Sequence, residues 1–226
     1  MLGRALLLGL PFFILMKIFP ALKNENFELI AGELILLAVI FPLAVKLGFK
    51  FGAIGSYLEG LKAELKPAFK YFLVMEVLLL GADYAFSLIL APWDLPWTNT
   101  LLFWNEQSSN PVTLDSTIAA LLENPLLLPF YFLSVCALAP LIEEFIMRRW
   151  LYAAMRVRIP AAAAIIINGS LFGLMHGTDF FATAIPGFFF CWSYEKTGKL
   201  ETPILVHAFT NLLALLVIFG EKIFYT

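Results

Sequence analysis

Residues 124–150 read "NPLLLPFYFLSVCALAPLIEEFIMRRW". No charge falls between Asn124 and Pro140, and then Glu143, Glu144, Arg148 and Arg149 arrive almost together. An apolar run of this length is what a helix needs to cross about 30 Å of hydrocarbon. Two adjacent carboxylates at that place are costly, so they call for a reason.

The rest of the chain fits the same setting. Its 226 residues are 61% hydrophobic and 15% aromatic, with a mean hydropathy of +0.87. Charged residues make up 14%, against about a quarter in soluble domains. Apolar runs recur, and they predict an all-α, polytopic transmembrane helix bundle of about seven spans. The spans fall at roughly 3–22, 28–48, 68–91, 125–147 (continuing as helix to about 157), 160–177, 180–195 and 203–220. The N-terminal "MLGRALLLGLPFFILMKIFPAL" reads as an uncleaved first span. One membrane domain over 1–226 is the simplest organisation. "FGAIGSYLEGLKAELKPAFK" reads as an interfacial helix, 92–113 as an interfacial loop, and "DSTIAALLENP" as a short surface helix. Cys136 and Cys191 lie inside apolar runs and read as small buried hydrophobes. A net charge of −2 without a basic block gives no sign of a nucleic-acid partner.

Lysine and arginine set an orientation. With a cytoplasmic N-terminus, Arg4, five lysines from Lys46 to Lys70, four arginines from Arg148 to Arg158, Lys196 and Lys199 fall inside, and Lys23 and Lys222 outside. This twelve-to-two bias predicts a multi-pass protein of the cell (plasma or inner) membrane, N-terminus cytoplasmic and C-terminus external.

Ionisable groups at membrane depth are functional candidates. Glu33 and Glu76 in the early spans need polar partners. The chain has two histidines, His176 in "SLFGLMHG" and His207 in "PILVHAFTN", and Asn211 shares a helical face with His207. Glu144 and Arg148 are spaced for an ion pair within one helix, which leaves Glu143 for another task. Glu143 and His176 are equidistant from the "RIP" turn at 158–160, so an antiparallel hairpin puts both roughly 24 Å from it. His207, one turn past Pro203, converges with them only if spans tilt or stop short. Each residue alone has a blander reading: the charges as a span's cytoplasmic end, the histidines and Asn211 as interhelical glue, Phe172 as packing. Together they make a hydrolytic set. Glu143, helped by His176, would deprotonate a water that attacks an amide carbonyl, since a carboxylate in water-poor surroundings is a better base than one in bulk. His207 and Asn211 would donate to the developing oxyanion. Zinc is the rival, because two His and a Glu can hold it. The histidines lack preset ligand spacing, however, so no cofactor is expected and zinc ranks behind.

"EEFIMR" at 143–148, "FGLMH" at 172–176 and "HAFTN" at 207–211 occur in that order. They resemble the pattern of the CAAX protease and bacteriocin-processing (CPBP, or ABI) family of intramembrane proteases. The similarity covers about residues 125–220 and leaves 1–120 as accessory spans. The resemblance implies a membrane-embedded glutamic endopeptidase with Glu143 as base, His176 as its partner, and His207 and Asn211 as the oxyanion site. Glu144, Arg148 and Phe172 would be supporting. One departure is Arg149, where many members have Gly. The implied partners are the lipid bilayer and a membrane-anchored protein or hydrophobic peptide substrate. The alternatives are a non-enzymatic bacteriocin-immunity or scaffold protein of the same fold, or a zinc-dependent membrane protease. A small transporter would want a continuous polar path or inverted repeats, and neither is seen.

Overall fold

Proline and glycine punctuate the helices. The computed structural model describes residues 42, 45, 54–90, 121–123, 125–177 and 180–225, and among these there is helix but no strand. Helix α1 runs Ile54–Leu90. A 3-10 turn at Pro125–Leu127 leads into α2, Leu128–Arg156. Helix α3 spans Ala161–Met175, α4 Phe180–Thr197 and α5 Glu201–Tyr225. Pro160, extended at ψ 151°, ends one direction of the chain and starts α3. Gly177 and Gly198, both with φ near +65° (65° and 67°), close α3 and α4 in the left-handed conformation that favours glycine.

Helix α2 changes its winding along its length. It is α-helical over Leu128–Leu133, Ala139–Glu144 and Ala153–Arg156, and π-helical over Ser134–Leu138 and Phe145–Tyr152. The first wide turn has a cause in sequence. Pro140 has no N–H to give the carbonyl four residues back, and its ring crowds that carbonyl. The ladder widens instead, and the Ala139 N–H reaches Ser134 O. The Glu pair thus sits on a short α segment between two wide turns.

Helices α3 and α4 approach closely through small residues. A Cβ on Gly173 would lie 2.6 Å from Phe180 O and 2.7 Å from Ala184 Cβ. A Cβ on Gly169 would lie 1.9 Å from the Phe188 ring. This is the small-residue contact by which helices pack where lipid removes the hydrophobic drive between them. Helix α1 lies along α5, where Ala68, Phe72, Met75 and Leu79 join Met147, Phe172, Phe190 and Val206 in one core.

Among the described residues two helices are long and apolar enough to cross a membrane, Leu128–Arg156 and Glu201–Gly220, and α3 is a shorter apolar helix. The seven expected spans are therefore matched only in part among the described residues. Those at 3–22 and 28–48 lie outside them, as do Glu33 and the 92–113 loop. The interfacial helix and the span at 68–91 are a single continuous helix, α1, which passes through Pro67. Glu59, Lys62, Glu64, Lys66, Lys70 and Glu76 keep α1 from being uniformly apolar. Of the expected surface helix at 115–125, residues 121–123 are described as helical. Leu121 there is buried against Leu215 and Phe219 rather than lying on the surface. Glu76 is half-buried, and its Oε1 has no hydrogen-bond partner among the described residues.

Candidate active site

The spacing of Glu144 and Arg148 puts both on one face of α2, and the rest of the site grows from that pair. Both side chains are fully buried, with Arg148 Nε 2.9 Å from Glu144 Oε2. The N–H is not aimed well enough at the oxygen to make a hydrogen bond, so the contact is ionic. Arg148 Nη2 donates to Gly187 O at 3.0 Å, and the guanidinium lies over the Phe172 ring at 4.9 Å and the Phe190 ring at 5.6 Å. Nη1 is buried without a hydrogen-bond partner among the described residues. Removing one member of such a buried pair strands the other charge, at a cost of about 3–5 kcal/mol.

Glu144 reaches across to α5. Its Oε1 is 3.0 Å from His207 Nδ1. A carboxylate oxygen in an ion pair with Arg148 accepts, so Nδ1–H donates. That fixes the tautomer of a neutral imidazole and turns its Nε2 outward. Nε2 then faces Glu143, whose Oε2 is 4.0 Å away and has no hydrogen-bond partner among the described residues. The two carboxylates differ in their surroundings: Glu144 is sealed at 0% exposure, whereas the Glu143 side chain is 28% exposed. The imidazole of His207 is stacked on Phe190 with ring centres 4.8 Å apart, and Phe172 meets it edge-on at 5.7 Å.

His176 caps the end of α3, where its Nδ1 donates to Phe172 O at 2.8 Å and leaves Nε2 as the acceptor. Its ring lies 4.6 Å from that of Phe172. No hydrogen bond or ion pair joins it to Glu143 among the described residues. Phe172 stands between the imidazoles and beneath the Arg148 guanidinium. Asn211 Nδ2 donates to Val135 O at 2.8 Å, in the first wide turn of α2. An amide carries two N–H groups, so one is left for another acceptor.

Asn168 is a residue the sequence reading passes over. It is fully buried, and its Nδ2 donates to Met147 O at 2.8 Å, in the second wide turn. The signal that could have found it is the one that found the histidines, a polar side chain inside an apolar helix. Among the described residues no three His, Cys, Asp or Glu side chains are grouped so as to hold a metal ion. Glu144 already serves both Arg148 and His207 Nδ1, and His176 is turned to its own helix.

The comparisons agree with the motifs. Residues 125–213 match the family model described as type II CAAX prenyl endopeptidase Rce1-like. No curated protein and no solved structure matches the chain. The matched segment holds Glu143, Glu144, Arg148, Phe172, His176, His207 and Asn211, and over it the chain is similar to the CAAX protease and bacteriocin-processing family.

Proposed function

We propose that this chain is an intramembrane glutamic endopeptidase that cuts a membrane-anchored or hydrophobic precursor protein with an activated water. The observation that carries the reading is the unequal carboxylate pair. Glu144 is held by an ion pair to Arg148 and a hydrogen bond from His207, while Glu143 Oε2, next to it, has no hydrogen-bond partner among the described residues and faces His207 Nε2 at 4.0 Å. A base needs a lone pair that is not already committed.

In this reading Glu143 takes a proton from water, which adds to the carbonyl carbon of the scissile amide. His207, protonated at Nε2 from solvent before the attack, donates that N–H to the oxyanion while Glu144 holds Nδ1 and stabilises the charge, and it returns the proton to solvent after the amide breaks. The remaining N–H of Asn211 adds a second donor. His176, through Nε2, assists the water from the far side of Phe172. Catalytic hydrogen bonds are often long without substrate and tighten when it binds. The proton on Glu143 then passes to the leaving amine, which balances the hydrolysis.

In this reading water activation by Glu143 needs no metal. The remaining elements of the reading are seven spans, an N-terminus inside, a C-terminus outside, and residues 1–120 as accessory spans of the same membrane domain. The family's prenyl-endopeptidase description is compatible with a lipid-anchored substrate. Helical peptide bonds are shielded by their own hydrogen bonds, so the cut segment is extended or unwound.

The test compares protein termini in membranes from cells making the parent or Glu143→Gln, which keeps shape and removes the base. Termini present only with the parent support the reading. If Glu143→Gln yields the same termini, the glutamic mechanism falls. If neither differs from cells lacking the protein, the immunity or scaffold reading takes its place. Cleavage lost to a chelator and restored by zinc would move the mechanism to a metal.

A further inference from the structure

Asn168 lies outside the three motifs, in a helix otherwise built of Ala, Ile, Leu, Phe and small residues. Chemistry fixes the direction of its amide. Met147 O can only accept, so Nδ2 faces it and Oδ1 faces away. That Oδ1 is buried and has no hydrogen-bond partner among the described residues. An orphaned acceptor is a burden that a residue kept for packing alone would not carry.

The bond it does make is at a telling place. Met147 O belongs to the peptide that begins Arg148, inside the π-helical stretch Phe145–Tyr152. A wide turn is not a favoured winding, and such turns occur where a helix serves a site. A donor from another helix at residue 147 pins the peptide from which the Arg148 side chain leaves. Arg148 holds Glu144, and Glu144 holds His207 Nδ1. Asn168 itself touches none of the groups assigned to the reaction.

We propose that Asn168 is a positioning residue, acting through the Met147–Arg148 peptide on the Arg148–Glu144–His207 chain. It deepens the endopeptidase reading and rests on it for its activity arm, but its structural arm stands without any cleavage. The chain's two histidines make that arm readable, because isotope-labelled histidine in the full-length protein reports on His176 and His207 alone. His176→Asn assigns the signals. Asn168→Ala should shift the His207 Nδ1 resonance and leave His176 close to its parent position. Asn168 and His176 share α3, so general loosening of that helix would reach His176 first. Only the route through α2 moves His207 selectively. Should Asn168→Ala fail to fold, Asn168→Ser removes less volume and carries the same expectation at smaller amplitude. An unmoved His207, or a His176 shift as large as that of His207, overturns the proposal.

In the activity arm, kcat for Asn168→Ala falls by roughly tenfold to a hundredfold with KM little changed, the usual result of a misplaced catalytic group. Lost activity without a His207 shift also counts against positioning. Cleavage that survives Glu143→Gln in the same assay sinks the hydrolytic reading, while the histidine spectrum still decides Asn168.

Discussion

Arg148 and Arg156 lie on the same helix and each meets a glutamate, yet the two pairs are built in opposite ways. Arg156 and Glu195 are 37% and 30% exposed and nearly saturated. Nε of Arg156 donates to both carboxylate oxygens at 3.1 and 3.2 Å, Nη2 donates to Oε1 at 3.0 Å, and Tyr152 OH donates to Oε2 at 2.8 Å. Arg148 and Glu144, with no exposure at all, keep a bent ionic contact and an Nη1 without a hydrogen-bond partner among the described residues. Burial makes each missing hydrogen bond more expensive, so the inner pair should be the better satisfied if stability were its purpose. It is the worse. The outer pair clamps α2 to α4, whereas the inner one spends stability to hold His207 in one tautomer and direction.

The sharpest way to break that contrast separates folding from function. Glu144→Ala strands Arg148 and should cost about 3–5 kcal/mol in denaturant unfolding of the detergent-solubilised protein. Glu144→Leu combined with Arg148→Met removes both charges. Its stability should return to near the parent value or rise above it, while cleavage stays lost because His207 Nδ1 has no acceptor. A double variant as unstable as the single one would show that the inner pair is a structural keystone.

A smaller effect should come from the spacing of α3 and α4. Gly169→Ala puts a Cβ 1.9 Å from the Phe188 ring and 2.8 Å from Phe188 N, and backbone cannot yield as a side chain can. Overpacking of this kind costs about 1–3 kcal/mol. It also draws α4, and with it Gly187 O, away from Arg148 Nη2. Unfolding and cleavage measured together should fall together. A Gly169→Ala protein with unchanged kcat would mean the inner pair does not depend on that spacing.

How far these arrangements could be read from sequence depends on helix winding. The Glu144–Arg148 pair was legible because their spacing returns both to one face of a helix, and the pair survives the onset of the wide turn at Phe145. Helical character and apolar spans were legible from composition and runs. The pairing of Glu143 with His176 was inferred by counting equal rises from a turn, which assumes α geometry throughout. Two π stretches in α2 change that count, and His176 lies just past the last residue of α3 with its Nδ1 tied to Phe172 O. Pro140 hinted at the first stretch, while nothing comparable in the sequence marks the second. The contact of His207 with Glu144 bridges two helices and has no local signature. The join between the interfacial segment and the span at 68–91 was hidden by Pro67, which breaks many helices but is carried inside α1.

The outer pair itself should be worth little. Arg156→Ala removes an ion pair open to solvent, and the expected loss of stability is small once screening is counted. Cleavage at saturating substrate should stay near the parent level, since Arg156 reaches Glu195 and Ile159 O and none of the groups assigned to the reaction. A loss of cleavage comparable with that in the Glu144 variants would erase the distinction drawn between the two arginines.

The smallest effect belongs to Lys199, which is more exposed than Arg156, pairs with Glu64 and ties the start of α5 to α1. Thr202 Oγ1 donates to the second oxygen of the same carboxylate at 3.1 Å, so Glu64 keeps a partner when the lysine is gone. The hydrogen bond to Glu64, then the charge of Glu64, hold the Lys199 proton above the ordinary lysine range, and the charge of Glu201 adds to this. A raised pKa in the folded state means that folding favours the protonated form. The contribution is therefore complete below the ordinary lysine value of about 10.4 and fades as pH climbs through the raised one. Unfolding of the parent and of Lys199→Met, followed from about pH 8 to about pH 11, should differ by a constant amount that narrows only at the alkaline end. Other lysines and tyrosines titrate in both proteins and cancel in the difference. A gap that stays constant through the alkaline range would mean that Lys199 contributes by packing its stem rather than by its charge.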